Sequence, residues 1–128
     1  MEIKLLWVDD DTEFGPAIEF RLNTTLVVKN LELVHVDLLQ DGNFIWETVR
    51  QLKPHIVMMD HNLQDVKRNG ANFITEIRLH DNELPIIFYS SEMGPALMQL
   101  VQGENRVFTS TRNDVHAELM RLISAEFT

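Results

Sequence analysis

The feature that most constrains this chain is a change of hydrophobic period that repeats from one end to the other. Short apolar runs stand at residues 5–8, 33–39, 56–59, 86–89 and 107–109. Between them apolar residues recur at helical spacing. Ile56-Val57-Met58-Met59 and Ile86-Ile87-Phe88-Tyr89 are apolar throughout. A strand without a polar face must be covered on both sides, which is the condition of a parallel sheet held between helices. Leu33-Val34-His35-Val36-Asp37-Leu38 alternates instead, so the second strand is expected nearer an edge. Phe14, Ile18, Arg21 and Leu22 predict a first helix, with Gly15-Pro16 in its first turn, where a missing N–H costs little. Ile45, Val49 and Leu52 predict a second, stopped by Lys53-Pro54. Phe73, Ile74 and Ile77 carry the third helix, and Leu97, Leu100 and Val101 the fourth. Val115, Leu119, Leu122 and Ile123 carry the last, with Asn113 or Asp114 as its N-cap. Segment 23–30 reads equally as a helix end or an extra strand. Five strands alternating with helices predict an α/β fold: a doubly wound five-stranded parallel sheet with helices on both faces and right-handed crossovers. No Pro/Gly/Ser-rich linker or repeat interrupts residues 1–128, which read as a single domain.

Composition narrows the function. With no cysteine, disulfides, thiolate zinc sites and cysteine nucleophiles are excluded, and a reducing cytoplasm is the compartment that fits. Eleven Lys and Arg against twenty Asp and Glu leave a net charge of −9. That balance argues against direct nucleic-acid binding over a broad face and against an anionic membrane surface. The first apolar run turns into acid after Val8, too soon for a signal segment or membrane span. His35, His55, His61, His80 and His116 show no metal spacing. There is no glycine-rich phosphate loop. Phe44 and Trp46 read as core or interface residues, and the methionines as packing.

The remaining question is where the acid sits. In a doubly wound sheet, ligands bind beyond the carboxyl ends of the strands, at the switch point. Two of those ends are acidic: Trp7-Val8 runs into Asp9-Asp10-Asp11, and Met58-Met59 runs into Asp60. Any one such Asp is also a good turn or cap residue, Asp11 above all. Several carboxylates in one crevice, however, repel one another and need a proton or a cation. Hard oxygen donors suit Mg2+, which takes one or two carboxylates together with a phosphate oxygen. A third end, Phe88-Tyr89-Ser90, offers a hydroxyl to a phosphoryl oxygen, or simply a cap for the next turn.

With these pieces, Leu5-Leu6-Trp7-Val8-Asp9-Asp10, His55-Ile56-Val57-Met58-Met59-Asp60 and Leu84-Pro85-Ile86-Ile87-Phe88-Tyr89-Ser90, the chain resembles the receiver domain of bacterial response regulators along its whole length. The resemblance implies a flavodoxin-like receiver fold in a phosphorelay. Asp60 would be the phosphoacceptor, and Mg2+ would be held by Asp9, Asp10, Asp60 and the backbone carbonyl of Asn62. Ser90 would be the hydroxyl that follows the phosphoryl group, reshaping the face made by the fourth helix and fifth strand. It implies a histidine kinase or phosphotransfer protein as donor, a downstream effector as partner, and a homodimer as an option. It also implies no enzyme activity beyond slow self-dephosphorylation. His61, next to Asp60, reads as a solvent-facing residue, its other role being to modulate access of the donor.

Departures from the family pattern are specific. The lysine that ends the family's fifth strand falls on Ser110, and no lysine follows Lys67. Arg112 or Lys67 would be the substitute cation, although Arg and Lys are not equivalent in a compact site. The aromatic switch position falls on Arg106. The loop after Asp60 lacks the family's proline and is longer before Gly70. A degenerate receiver acting as a phosphorylation-independent interaction module is therefore the main competing reading. A phosphatase resembling the haloacid dehalogenases, using Asp9 as nucleophile and Asp11 as acid, is the remote one. Glu13 stands where that motif expects Thr or Val.

Overall fold

The computed structural model describes residues 2–9, 20–21, 32–39, 45–61, 69–90 and 94–127. Five strands form one parallel sheet: β1 (Glu2–Val8), β2 (Glu32–Leu39), β3 (Ile56–Asp60), β4 (Ile86–Ser90) and β5 (Val107–Thr111). Their order is β2-β1-β3-β4-β5. The alternating second strand is at an edge, as its pattern predicts. The order reverses between β1 and β3, which places the switch point between the two acidic strand ends. The described helices span Ile45–Leu52, Gly70–Arg78, Gly94–Leu100 and Val115–Phe127. Of the helix expected around residues 14–22, only Phe20 and Arg21 are described, both helical and exposed; segment 23–30 lies outside the described residues.

Strand alternation divides the core in two. Leu5, Trp7, Ile56, Met58, Ile87 and Tyr89 face Val115, Leu119, Leu122 and Ile123 of the last helix. Leu6, Val8, Val57, Met59, Ile86 and Phe88 face the three other helices. Every one of these residues is at least nine-tenths buried. The continuous apolar runs are thus covered on both sides. No helix among the described residues is long and apolar enough to cross a membrane.

Helix boundaries follow local chemistry. Ile45–Leu52 ends at Lys53, whose φ of 53° is left-handed and whose N–H donates to the Val49 carbonyl before Pro54. Asn69 and Asn72 form a reciprocal capping box at the start of Gly70–Arg78. Asp114 stands just before the last helix, its carbonyl accepting the Glu118 N–H. Trp46 stacks on His80 at 4.6 Å between ring centroids, joining two helices.

All five strands are longer than their apolar runs. β3 includes Asp60, and β5 continues through Ser110 and Thr111. Thr109 and Thr111 are β-branched and suit a pleated strand, and the Arg112 N–H extends the ladder onto the Ser90 carbonyl at 3.0 Å. Arg106, on which the family's aromatic switch position falls, stands at the entry to the strand. It lies one residue ahead of β5 with φ 55°, its side chain paired with Glu126 and its carbonyl accepting the Ile86 N–H.

Candidate functional site

Asp9 directly follows β1 and Asp60 ends β3. Both carboxylates are completely buried. Two buried anions at neighbouring strand ends need a positive partner, because desolvation removes the water that would otherwise screen them. Arg112 supplies it. Its Nη2 donates to Asp60 Oδ2 at 2.8 Å and stands 3.6 Å from Asp9 Oδ1. The geometry has a simple origin in strand alternation. Side chains two residues apart share a face, so Arg112 lies on the same face as Ser110, one step further along the chain. The longer arginine stem reaches back from there. Ser110 itself turns its hydroxyl to the Thr111 carbonyl at 2.9 Å. Of the two substitute cations considered, Arg112 is thus at the carboxylates, while Lys67 lies outside the described residues.

The same alternation brings two aromatic residues into the site that sequence reading treated as core. Trp7 is two residues before Asp9, and Tyr89 is the direct β4 partner of Asp60. The Tyr89 hydroxyl donates to Asp9 Oδ2 at 2.5 Å and accepts the Trp7 indole N–H at 2.5 Å. The Arg112 guanidinium carbon stands 5.8 Å from the centre of the Tyr89 ring, within cation–π range. Burial first, and then the adjacent Asp9 carboxylate, hold the Tyr89 hydroxyl well above its ordinary pKa. It is therefore a protonated donor at any ordinary pH. The only sequence signal for this pair was their parity with the acidic residues.

Ser90 is fully buried at the end of β4, one residue beyond the partner of Asp60. Asp10, Asp11 and Asn62 lie outside the described residues. Among the described residues no group of three or more His, Asp or Glu side chains is arranged to hold a metal. The donors present nevertheless suit a hard divalent cation: two buried carboxylates, oxygen only, at the switch point.

His61 corrects the sequence reading. It is buried rather than solvent-facing, with 9% of its surface exposed, and its ring meets the edge of Phe88 at 5.4 Å. Alternation explains this, since His61 points to the opposite face from Asp60. Burial lowers its pKa. Next to it, Gly70 opens its helix against the Asp60 backbone. A Cβ at residue 70 would stand 2.3 Å from the Asp60 carbonyl oxygen, so only glycine permits this approach. The Gly70 N–H donates to the His61 carbonyl at 3.1 Å.

Comparison with known proteins agrees with this geometry. Residues 5–106 match the family described as the response regulator receiver domain. Similar solved structures include a LuxR-family two-component response regulator from Aurantimonas sp. SI85-9A1. It has 21% identity and a TM-score of 0.71, and the alignment covers 98% of this chain and 84% of that one. The chemotaxis protein CheY4 of Vibrio cholerae has 19% identity and a TM-score of 0.70, with 98% of each chain covered. The non-phosphorylated receiver domain of the stress response regulator RcsB from Escherichia coli has 17% identity and a TM-score of 0.76, covering 98% of this chain and 92% of that one. No curated protein sequence matches. Identities this low speak for the fold alone, but the family match spans most of the sequence, and this chain therefore belongs to the response regulator receiver family.

Proposed function

We propose that this receiver domain accepts a phosphoryl group on Asp60 from the phosphohistidine of a kinase or phosphotransfer protein, and signals by changed binding to an effector. The observation that carries this reading is the guanidinium of Arg112 at 2.8 Å from Asp60 Oδ2. The family's lysine is missing, yet a cation stands at the acceptor. In the transfer, an Asp60 carboxylate oxygen attacks phosphorus, the P–O bond forms as the P–N bond breaks, and the donor imidazole leaves. Hydrolysis of the acyl phosphate later returns the carboxylate and inorganic phosphate. Arg112 offsets the charge gathering on the phosphoryl oxygens, and Ser90 donates its hydroxyl to one of them. Mg2+, when bound, neutralises further charge on the transferring group. Asp9, Asp10, Asp60 and the Asn62 carbonyl are the residues that would hold it.

The effector face in this reading includes β5, half-buried along its length, and helix Gly94–Leu100, where Met98 is 62% exposed. The domain is proposed to act in the cytoplasm and to catalyse nothing beyond its own slow dephosphorylation. A second reading draws on the same arginine. Because Arg112 already compensates both Asp9 and Asp60, the acidic pocket is stable without phosphorylation, as an interaction module requires.

Intact-mass measurement after acetyl phosphate and Mg2+ treatment separates the two. The expected result is a gain of one phosphoryl group in the wild type and none in Asp60→Asn. A wild-type chain that never gains the group, while still binding its partner, establishes the interaction module instead.

A further inference from the structure

The Tyr89 side chain touches both groups that flank the acceptor. Its hydroxyl donates to Asp9 Oδ2, and its ring faces the Arg112 guanidinium. Behind it, the Trp7 indole N–H is bonded to the same hydroxyl. All four participants, Trp7, Asp9, Tyr89 and Asp60, have no exposed surface. A buried hydroxyl between an indole donor and a carboxylate has one orientation that satisfies both. The Trp7 N–H takes a lone pair of the oxygen, so the hydroxyl proton is directed at Asp9. This aims the hydroxyl proton at Asp9 Oδ2, while Oδ1 lies toward Arg112, 3.6 Å from its Nη2.

We propose that Tyr89 is the positioning residue of the acidic pocket, its hydroxyl setting the Asp9 carboxylate for a cation and its ring guiding Arg112 to Asp60. This rests on the phosphoacceptor reading above and adds a residue that the reading did not contain. The chemistry is that of an outer hydrogen bond to a metal-ligating carboxylate, whose loss lowers metal affinity by about tenfold or more. The two functions of Tyr89 are separable. Tyr89→Phe removes the hydroxyl and keeps the ring, whereas Tyr89→Leu removes both.

The chain has two tryptophans, so a 15N-labelled sample gives two indole N–H resonances, and the Trp7 signal reports directly on the Tyr89 bond. Titrating the full chain with Mg2+ is expected to move that resonance together with the backbone amides near Asp9. In Tyr89→Phe, the Trp7 indole signal is displaced before any Mg2+ is added, and the Mg2+ midpoint of the amide shifts rises about tenfold. In Tyr89→Leu the midpoint rises and saturated uptake falls as well, because Arg112 has lost its platform.

A folded Tyr89→Phe with the wild-type Mg2+ midpoint overturns the inference while leaving the phosphoacceptor reading intact. If Tyr89→Phe does not fold, Trp7→Phe carries the test, since it removes the indole donor, along with part of a buried ring, and leaves the Tyr89 hydroxyl and Asp9 in place. Its midpoint is expected to move in the same direction by a smaller factor, and an unmoved midpoint overturns the inference equally. A wild-type chain whose resonances ignore Mg2+ overturns the metal reading of the pocket and this inference together.

Discussion

Two arginines stand at opposite ends of the sheet, and their partners differ in kind. Arg78, at the amino end, donates to four backbone carbonyls: Asn105 at 2.8 Å, Asp81 at 2.9 Å, Leu84 at 2.5 Å and Arg106 at 3.3 Å. Arg112, at the carboxyl end, faces the carboxylates of Asp60 and Asp9. Carbonyls are fixed by the backbone and cannot exchange their partner without unfolding the loops that carry them. Carboxylates are mobile at χ angles, hold full charge and bind any cation or electrophile that fits. Arg78 therefore closes a structure, while Arg112, in the proposed function, takes part in the transfer. Burial lowers the Arg78 pKa, with Asp81 and Glu104 opposing the shift, and it remains a cation.

The largest effect that tests this contrast is on stability. Arg78→Met keeps most of the apolar stem but removes the hydrogen bonds donated to four carbonyls, of which that of Arg106 keeps the Ile86 N–H, and is expected to cost about 3 kcal/mol. Urea denaturation measures it. Phosphoryl uptake by the folded fraction should be unchanged; a parallel loss of uptake would mean that the two ends are not independent. Arg112→Gln should differ in kind, with uptake at Asp60 falling by about tenfold or more and a stability loss of about 3 kcal/mol that comes from two buried carboxylates deprived of their cation. Arg112→Lys sharpens the point, because full rescue would show that charge alone matters and no rescue that the reach and planarity of guanidinium do.

The smallest effect concerns acid. Burial lowers the His61 pKa in the folded chain, so its stabilising contribution is complete above the ordinary histidine value of about 6.5 and is lost as pH falls through the depressed folded value. His116 shifts in the same direction, also chiefly by burial. His61→Leu is expected to make the fall in stability below about pH 6.5 shallower without abolishing it. Denaturation midpoints across that range decide the matter, and an unchanged slope would assign the acid sensitivity elsewhere.

The fold was legible because its strands are written as uninterrupted apolar runs, and burial on both faces is the only use for Ile56–Asp60 and Ile86–Ser90 in a single sheet. Strand ends were less visible. Thr109 to Thr111 are polar, and their place in β5 comes from β-branching and the ladder to β4. Asp60 stood out because a carboxylate after an apolar strand has few structural uses. Trp7 and Tyr89 did not, because an aromatic residue inside an apolar run has an obvious structural use. What makes them part of the site is register between segments 82 residues apart, which no local pattern encodes. His61 was misread for a related reason, since adjacency to an acidic strand end suggested solvent where alternation required the core.

The contact between Gly70 and the Asp60 backbone sets a rule for length. The chain leaves the sheet at His61 and returns to it at Gly70, joined by one hydrogen bond of 3.1 Å. With His61 and Gly70 pinned together by that bond, the approach of the helix start to the Asp60 backbone is set at these two residues. Closing a loop costs only about 0.6 kcal/mol more for each doubling of its length. Extra residues between His61 and Gly70 would therefore add little to the cost of closure, whereas a single methyl group at residue 70 would stand 2.3 Å from the Asp60 carbonyl oxygen.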